Sequence, residues 1–539
     1  MAIFLLAINI VFVRIYSVAP TDLGLAGRLP ISFWIGLAVV GVVWFTGKDS
    51  TRILAIALAL SVAYLFVAPA VIRVPVWLSN SYYPFGESVL MNSSGHLVDY
   101  QSTTLNSYHY WPLFLYFASE FLQITGIPHY IILKCFPLLI ISVYVLLVFL
   151  ILKVKLKSTN AIFGAGLFLA SFWMRQQYFG PPGIGYIFFL LGLLVISHLF
   201  FGSRFKKTPL AALFILIFVM VTFTHLLSSL MLIIALMALY LAQLLTHEQK
   251  SSGVSTLFVF STAFFLSYNM FLAPAFFNLA IKTYYQVLSL SRGLGLFKEP
   301  SRVAGSAAQV LNYRCTLITI LIGVAVALVG ILLILKNRFS RQHLPIGRYQ
   351  VFWIVLSIFL ALFAVTTEYG PHESYQRAFM FGLVPLSYFC VIALSRKPKL
   401  FSLIILVLLF LSIPAQYGAD SYTLIKNSEL SGAAFVADNT PQGINCFYEF
   451  SLEIRYYNPV KQVKFLVLAS LPFTSVPNAS STDQVLNKAV YVIVSDKQNN
   501  YYYYFLSQNP LDQVSLDQFN RLYDNSAFLL LRQSNKTLP

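Results

Sequence analysis

The sequence predicts a polytopic α-helical membrane protein with a small domain at its C-terminal end. Three observations predict it. The 539 residues are 58% hydrophobic and only 10% charged, whereas a soluble domain is roughly a quarter charged. Apolar runs of about 17–23 residues recur along most of the chain, long enough to cross a bilayer as helices. Beyond about residue 416 the pattern changes to short alternating stretches, YVIVSD, FLVLAS and AFLLLRQ, which read as strands.

The candidate spans are roughly 1–17, 30–46, 52–74, 129–152, 159–173, 183–201, 209–223, 226–245, 254–271, 314–336, 350–366, 379–395 and 400–416, about thirteen transmembrane helices. They give a transmembrane domain at 1–416, with large loops at 75–128 and 272–313, and a C-terminal domain at 417–539 of α/β or mostly β type. The first run is not read as a cleaved signal, because it lacks a basic start and Arg14 follows its apolar core. Taking every second connection as cytoplasmic collects sixteen Lys and Arg residues there against two acids, Asp49 and Glu248. Cytoplasmic loops retain basic residues. The expected topology is therefore a multi-pass cell-membrane protein with a cytoplasmic N-terminus and an extracytoplasmic C-terminal domain. Ser81–Phe117, on the outer side in this reading, holds no Lys or Arg.

The charge bias has the same source. Net charge is +17, yet the tail carries nine basic and ten acidic residues. The basic excess is spread over short connections, which points to topology and anionic membrane lipids rather than nucleic acid. The triplets at Asn92, Asn478 and Asn535 fit N-glycosylation sequons and fall in segments assigned outside. Four scattered cysteines, Cys135, Cys315, Cys390 and Cys446, show no metal-type spacing and read as small buried apolar residues. YYYYF, Tyr501–Phe505, reads as an aromatic strand or an interfacial patch.

Acids are scarce, so the search for chemistry is short. Outside the tail and the two cytoplasmic acids there are seven: Asp22, Glu87, Asp99, Glu120, Glu299, Glu368 and Glu373. Glu87 and Asp99 lie in a loop rich in Tyr, His and Ser, where a carboxylate within hydrogen-bond reach of an acceptor could take its proton; the bland reading is a solvated loop acid. Glu120 reads as a helix-face acid. Among the cations, Arg175 sits in FWMRQQYFGPPGIGY, His225 in FTHLLSS at a tight turn, and His372 and Arg377 in TTEYGPHESYQRAFMF. Such groups suit a lipid phosphate as anion partner and leaving-group stabiliser. The competing reading is snorkelling to headgroups, about even for Arg175 and Arg377 and preferred for Lys282, Arg292, Lys298 and Arg302. His96, His109, His129, His225 and His372 show no zinc-type spacing, so no metal ligand set is assigned.

YYPFGESVLMNSSGHL followed by YHYWPLFLYFASEFLQITGIP resembles the acid-bearing outer loop and Pro- and aromatic-rich surface helix of the GT-C class of polytopic glycosyltransferases. RQQYFGPPGIGYIFFLL, THLLSSLMLII, ESYQRAFMFGLVPLSYF and FNRLYDNSAFLLLRQ extend the likeness over most of the chain, in particular to uncharacterised archaeal GT-C-like membrane proteins. The spans and external tail also resemble the oligosaccharyltransferase catalytic subunit. The resemblance implies transfer of a sugar from a polyprenyl (dolichyl) phosphate-linked donor to a glycan or protein acceptor at the outer face. By position Glu87 matches the loop acid that acts as base, with Asp99 second. Arg175, His225 and Arg377 would face the donor phosphate, with basic residues or a divalent cation holding it. Tyr83, His96, His372 and Glu373 would contact the acceptor or line the loop. The chain departs from the pattern in three ways: Asn80 stands where an acidic pair is usual, the tail has no WWDYG-like motif, and two extra spans precede the loop. Two rival readings stay open: a transporter or flippase of lipid-linked saccharides, and a non-catalytic scaffold that keeps the fold.

Overall fold

The computed structural model describes residues 1–16, 23–73, 76, 79–96, 107–202, 205–246, 252–273, 306–340, 347–366, 374–441, 444–448, 454, 457, 464–466, 479–506, 508–517 and 519–534. The N-terminal part is a bundle of helices: α1 (Ala2–Phe12), α2 (Ile31–Thr46), α3 (Thr51–Ile72), α4 (Tyr82–Ser94), α5 (Leu113–Thr125), α6 (His129–Lys153), α7 (Ser158–Ser171), α8 (Pro181–Phe201), α9 (Lys207–Thr224), α10 (Leu226–Leu245), α11 (Ser252–Phe271), α12 (Ala307–Ser340), α13 (Arg348–Thr366), α14 (Ser374–Leu394) and α15 (Pro398–Tyr417). Every one of the thirteen apolar runs holds a helix. Nine helices among the described residues are long and apolar enough to cross a membrane, and α1, α2, α5 and α13 are shorter apolar helices. The segment 75–128 contains α4 and α5.

The chain is a multi-pass membrane protein, and its surface shows why. Leu321, Leu328 and Leu332 on α12 are 63%, 52% and 62% exposed. At helical spacing they make one apolar stripe, which suits hydrocarbon and would be unfavourable in water. The bundle centre is α7, whose residues from Ala161 to Ser171 are all buried. Its small residues let neighbours approach closely, as in membrane helix packing. A Cβ on Gly166 would stand 2.5 Å from Trp44 Cη2, and one on Gly164 would stand 2.5 Å from Leu152 Cδ1. Trp44 is also satisfied as a polar group: its Nε1 donates to Ser61 Oγ at 3.0 Å.

α3 is irregular for a reason visible in its sequence. Pro69 has no N–H, so the Leu65 carbonyl loses its helical donor, and Ala63–Val67 form a π turn. The Tyr417 hydroxyl donates to that carbonyl. Arg73 ends the helix, and its Nε donates to the Pro69 carbonyl at 2.9 Å.

After α15 come α16 (Asp420–Thr423), α17 (Asn427–Asn439), β1 (Asn445–Phe447), β2 (Lys464–Leu466), α18 (Ala479–Leu486), β3 (Tyr491–Ser495), α19 (Asp496–Leu506), β4 (Phe519–Asp524) and β5 (Phe528–Gln533). The sheet order is β2-β1-β3-β5-β4, parallel among the first three and antiparallel thereafter. The C-terminal domain is therefore α/β. Tyr491 and Ile493 face α17, whereas Val492 faces the side of Tyr502 and Leu486, so β3 is buried on both faces. This explains its unbroken apolar run.

The expected strand at Tyr501–Phe505 is corrected: these residues lie in α19. Successive side chains then point about 100° apart, and each finds a different surface. Tyr502 packs under the sheet, Tyr503 donates to Asp512 Oδ2 at 2.9 Å, and Tyr504 packs against Ala308 and Ala419 at the bundle. Cys315, Cys390 and Cys446 are buried and free, as a small apolar role requires, while Cys135 is exposed.

Candidate functional site

The chemistry-bearing residues gather at the end of the bundle where α15 runs into the C-terminal domain. The hub is the connector between α7 and α8, residues 172–180. Its Phe179 packs on Phe85, Phe114 and Phe136 at centroid distances of 5.3, 5.1 and 4.9 Å, and its N–H donates to Ser81 Oγ at 3.3 Å. These contacts seat α4 and α5 on the connector. Trp173 stacks on Phe379 of α14 at 6.0 Å. Tyr186 of α8 donates to the Met380 carbonyl at 2.8 Å. The connector thus joins the helix that bears Glu87 to the helix that bears Arg377.

Glu87 is not a solvated loop acid. It lies on α4 and is 4% exposed. Its Oε2 is 3.2 Å from His109 Nε2, and Oε1 is buried with no hydrogen-bond partner among the described residues. A buried carboxylate oxygen without a donor is costly, so this atom is suited to receive a proton or a ligand hydroxyl. Tyr83 is buried on the same helix, whereas His96 is exposed beyond its end, with Nδ1 2.8 Å from the Ser94 carbonyl. Glu120 is exposed on α5, as expected of a helix-face acid. Asp99, His372 and Glu373 lie outside the described residues.

Arg175 is half-buried, and its Nε donates to the Gln416 carbonyl at 2.9 Å. Asn312 Nδ2 donates to the Pro414 and Ala415 carbonyls at 2.7 and 2.8 Å. Together with the Gly418 N–H, which also donates to the Pro414 carbonyl at 2.9 Å, they satisfy the carbonyls of the last turn of α15, and the cation complements the helix dipole there. Arg175 therefore has a capping role that uses one of its nitrogens.

His225 sits between α9 and α10, 8% exposed, and caps α10: its Nδ1 accepts the Ser228 N–H at 3.3 Å. The close approach of Gly185, where a Cβ would be 2.5 Å from His225 Cβ, lets α8 cover it. Burial first, then the charge of Arg377, pushes the imidazole pKa down to about 3. His225 is thus neutral at pH 7, with its proton on Nε2 because Nδ1 accepts. Any contact of His225 with a phosphate would therefore be that of a neutral donor. Arg377 is 6% exposed on α14.

The structure adds residues that the sequence did not single out. Arg73 Nη1 lies 2.9 Å from Asp420 Oδ2, with the two side chains 2% and 1% exposed, and the guanidinium lies over the Tyr417 ring at 4.7 Å. Beside this pair, Phe66, Ala70, Leu133 and Pro137 wall a small recess of about 10 Å³ that Arg73 and Lys134 also line. Lys134 is half-buried and has no ion pair among the described residues. Gln177 and Gln416 are fully buried, and neither side-chain amide finds a partner among the described residues. The signals were faint. Arg73 and Lys134 stand near the ends of apolar runs, and nothing in a sequence links Arg73 to an acid 347 positions away. No group of three metal-ligating side chains occurs among the described residues.

The fold and site define a multi-pass helical membrane protein with a polar, partly cationic centre at one end. No protein-family model and no curated protein matches the chain. Among solved structures it is similar to ArnT from Cupriavidus metallidurans in the apo state, at 12% identity and TM-score 0.36, covering 93% of this chain and 98% of that one. It is also similar to the same protein bound to undecaprenyl phosphate, at 12% identity and TM-score 0.30, covering 94% and 99%. These scores are too low to carry residue roles from one chain to the other.

Proposed function

We propose that the protein is a membrane glycosyltransferase that moves a sugar from a polyprenyl-phosphate carrier to an acceptor at the extracytoplasmic face. The observation that carries this reading is Glu87, a buried carboxylate with one oxygen held by His109 and the other without a partner among the described residues, at the end of the bundle where the cations gather. The acceptor O–H gives its proton to Glu87, its oxygen attacks the anomeric carbon, and the bond to phosphate breaks with the electron pair leaving on the phosphate oxygen. Lys134, a half-buried cation at the start of α6, would pair with the lipid phosphate, with the isoprenoid part along the bundle surface. Arg175 and Arg377 would stabilise charge on the leaving group, and His225 would donate as a neutral imidazole. Asp99 is the second candidate base, and Tyr83, His96, His372 and Glu373 the candidate acceptor or loop contacts.

The test is mass spectrometry of lipid-linked saccharides and surface glycans in three strains: wild type, deletion, and Glu87→Gln. The expected result is that the deletion and the point variant lack the same sugar, with the variant present at wild-type levels in the membrane. A deletion phenotype that Glu87→Gln does not share would sink the base assignment and favour a transporter or a scaffold.

A further inference from the structure

We infer that His109 is the positioning residue of the base, holding the Glu87 carboxylate so that a single oxygen faces the reacting hydroxyl; this rests on the transferase reading. An ionised carboxylate only accepts hydrogen bonds, so His109 Nε2, 3.2 Å from Oε2, carries the hydrogen and donates it. That bond fixes the rotation of the carboxylate and occupies Oε2. Oε1, buried and without a partner among the described residues, is then the oxygen left to take a proton.

The turn that carries the imidazole is itself held in place. His109 lies in the short 3-10 turn Ser107–Tyr110, immediately before α5. The Tyr110 carbonyl accepts the Tyr268 hydroxyl of α11 at 2.6 Å. Phe114, at the start of α5, packs on Phe179 of the connector. The turn is thus pinned from α11 on one side and from the connector on the other. The ring is 17% exposed against 3% for the Glu87 side chain. His109 therefore sits at the edge of the site and Glu87 inside it, the arrangement expected when the outer group orients the inner one. A misplacement of a reacting group by ~1 Å costs on the order of 100-fold in rate.

The test uses the purified full-length protein in detergent, the total lipid-linked saccharide extract of the source membranes as donor probe, and detergent-solubilised membranes of the deletion strain as the source of acceptor. The rate of sugar loss from the lipid and the half-saturating amount of extract are measured for wild type, Glu87→Gln, His109→Leu, His109→Gln and the Glu87→Gln/His109→Leu double variant. His109→Leu is expected to lower the saturated rate by roughly 100-fold with the half-saturating amount unchanged. His109→Gln, whose amide nitrogen can replace the Nε2 donor, is expected to recover most of that loss. The double variant is expected to be no slower than Glu87→Gln, because a residue acting through Glu87 has nothing left to act on. An inactive Glu87→Gln beside a wild-type rate in His109→Leu overturns the positioning role alone. So does equal loss in the Leu and Gln variants, or losses that multiply in the double variant. A wild-type rate in Glu87→Gln overturns the base assignment as well.

Discussion

His225 shows how burial decides what a residue can do. Its unfolded imidazole binds a proton near the ordinary value of about 6.5, whereas the folded one does so only at about 3. Between those values the unfolded chain holds more protons, so stability falls as pH drops below about 6.5 and is unaffected above it. At pH 5 the penalty from this group alone amounts to about 2 kcal/mol. Thermal unfolding in detergent at pH 7.5 and pH 5 should show a larger acid loss for wild type than for His225→Gln. Equal losses would mean that the imidazole is charged in the folded protein. Glu87 makes the same point differently: its neighbours in sequence suggested a wet loop, but α4 turns its side chain inward against His109.

Among the elements, α3 and α15 are coupled through one proline. Pro69 frees the Leu65 carbonyl, Tyr417 fills it, the Tyr417 ring supports Arg73, and Arg73 pairs with Asp420. Replacing one partner of such a buried pair leaves the other charge uncompensated, at a cost of about 3–5 kcal/mol, while replacing both with apolar residues of similar size is often near neutral. Arg73→Leu should therefore destabilise the protein more than Arg73→Leu/Asp420→Leu does, as read from unfolding midpoints in micelles. Additive losses would show that the two side chains are not paired. The pair also ties the bundle to the C-terminal domain, because Asp420 opens the segment that carries α17 and the sheet.

For the whole molecule, sidedness carries a direct prediction. The basic connections and the C-terminal domain should lie on opposite faces of the membrane. Single cysteines placed at Lys155 and at Ser515, in a background with Cys135 replaced, should react with a membrane-impermeant maleimide from opposite sides of intact cells or inverted vesicles. Labelling of both from one side would break the assigned topology. The α19 tyrosines place the domain on the bundle: Tyr504 packs on Ala308 and Ala419, and Asn500 Nδ2 donates to the Ser421 carbonyl at 2.9 Å. Site and domain therefore occupy the same end.

The sequence by itself determined the thirteen helical runs, the change of character after α15, and strands such as YVIVS, because apolar length and alternation are local properties that water and lipid read directly. Tertiary structure alone decided the site. Glu87 meets His109 across 22 positions, Arg175 meets the end of α15 across 241, and Arg73 meets Asp420 across 347. Such pairings depend on which helix ends adjoin, and that depends on packing around the small residues of α7. It was packing too that turned YYYYF into a helix: four tyrosines at helical spacing reach the sheet, the neighbouring turn and the bundle at once, and those contacts outweigh their local preference for a strand.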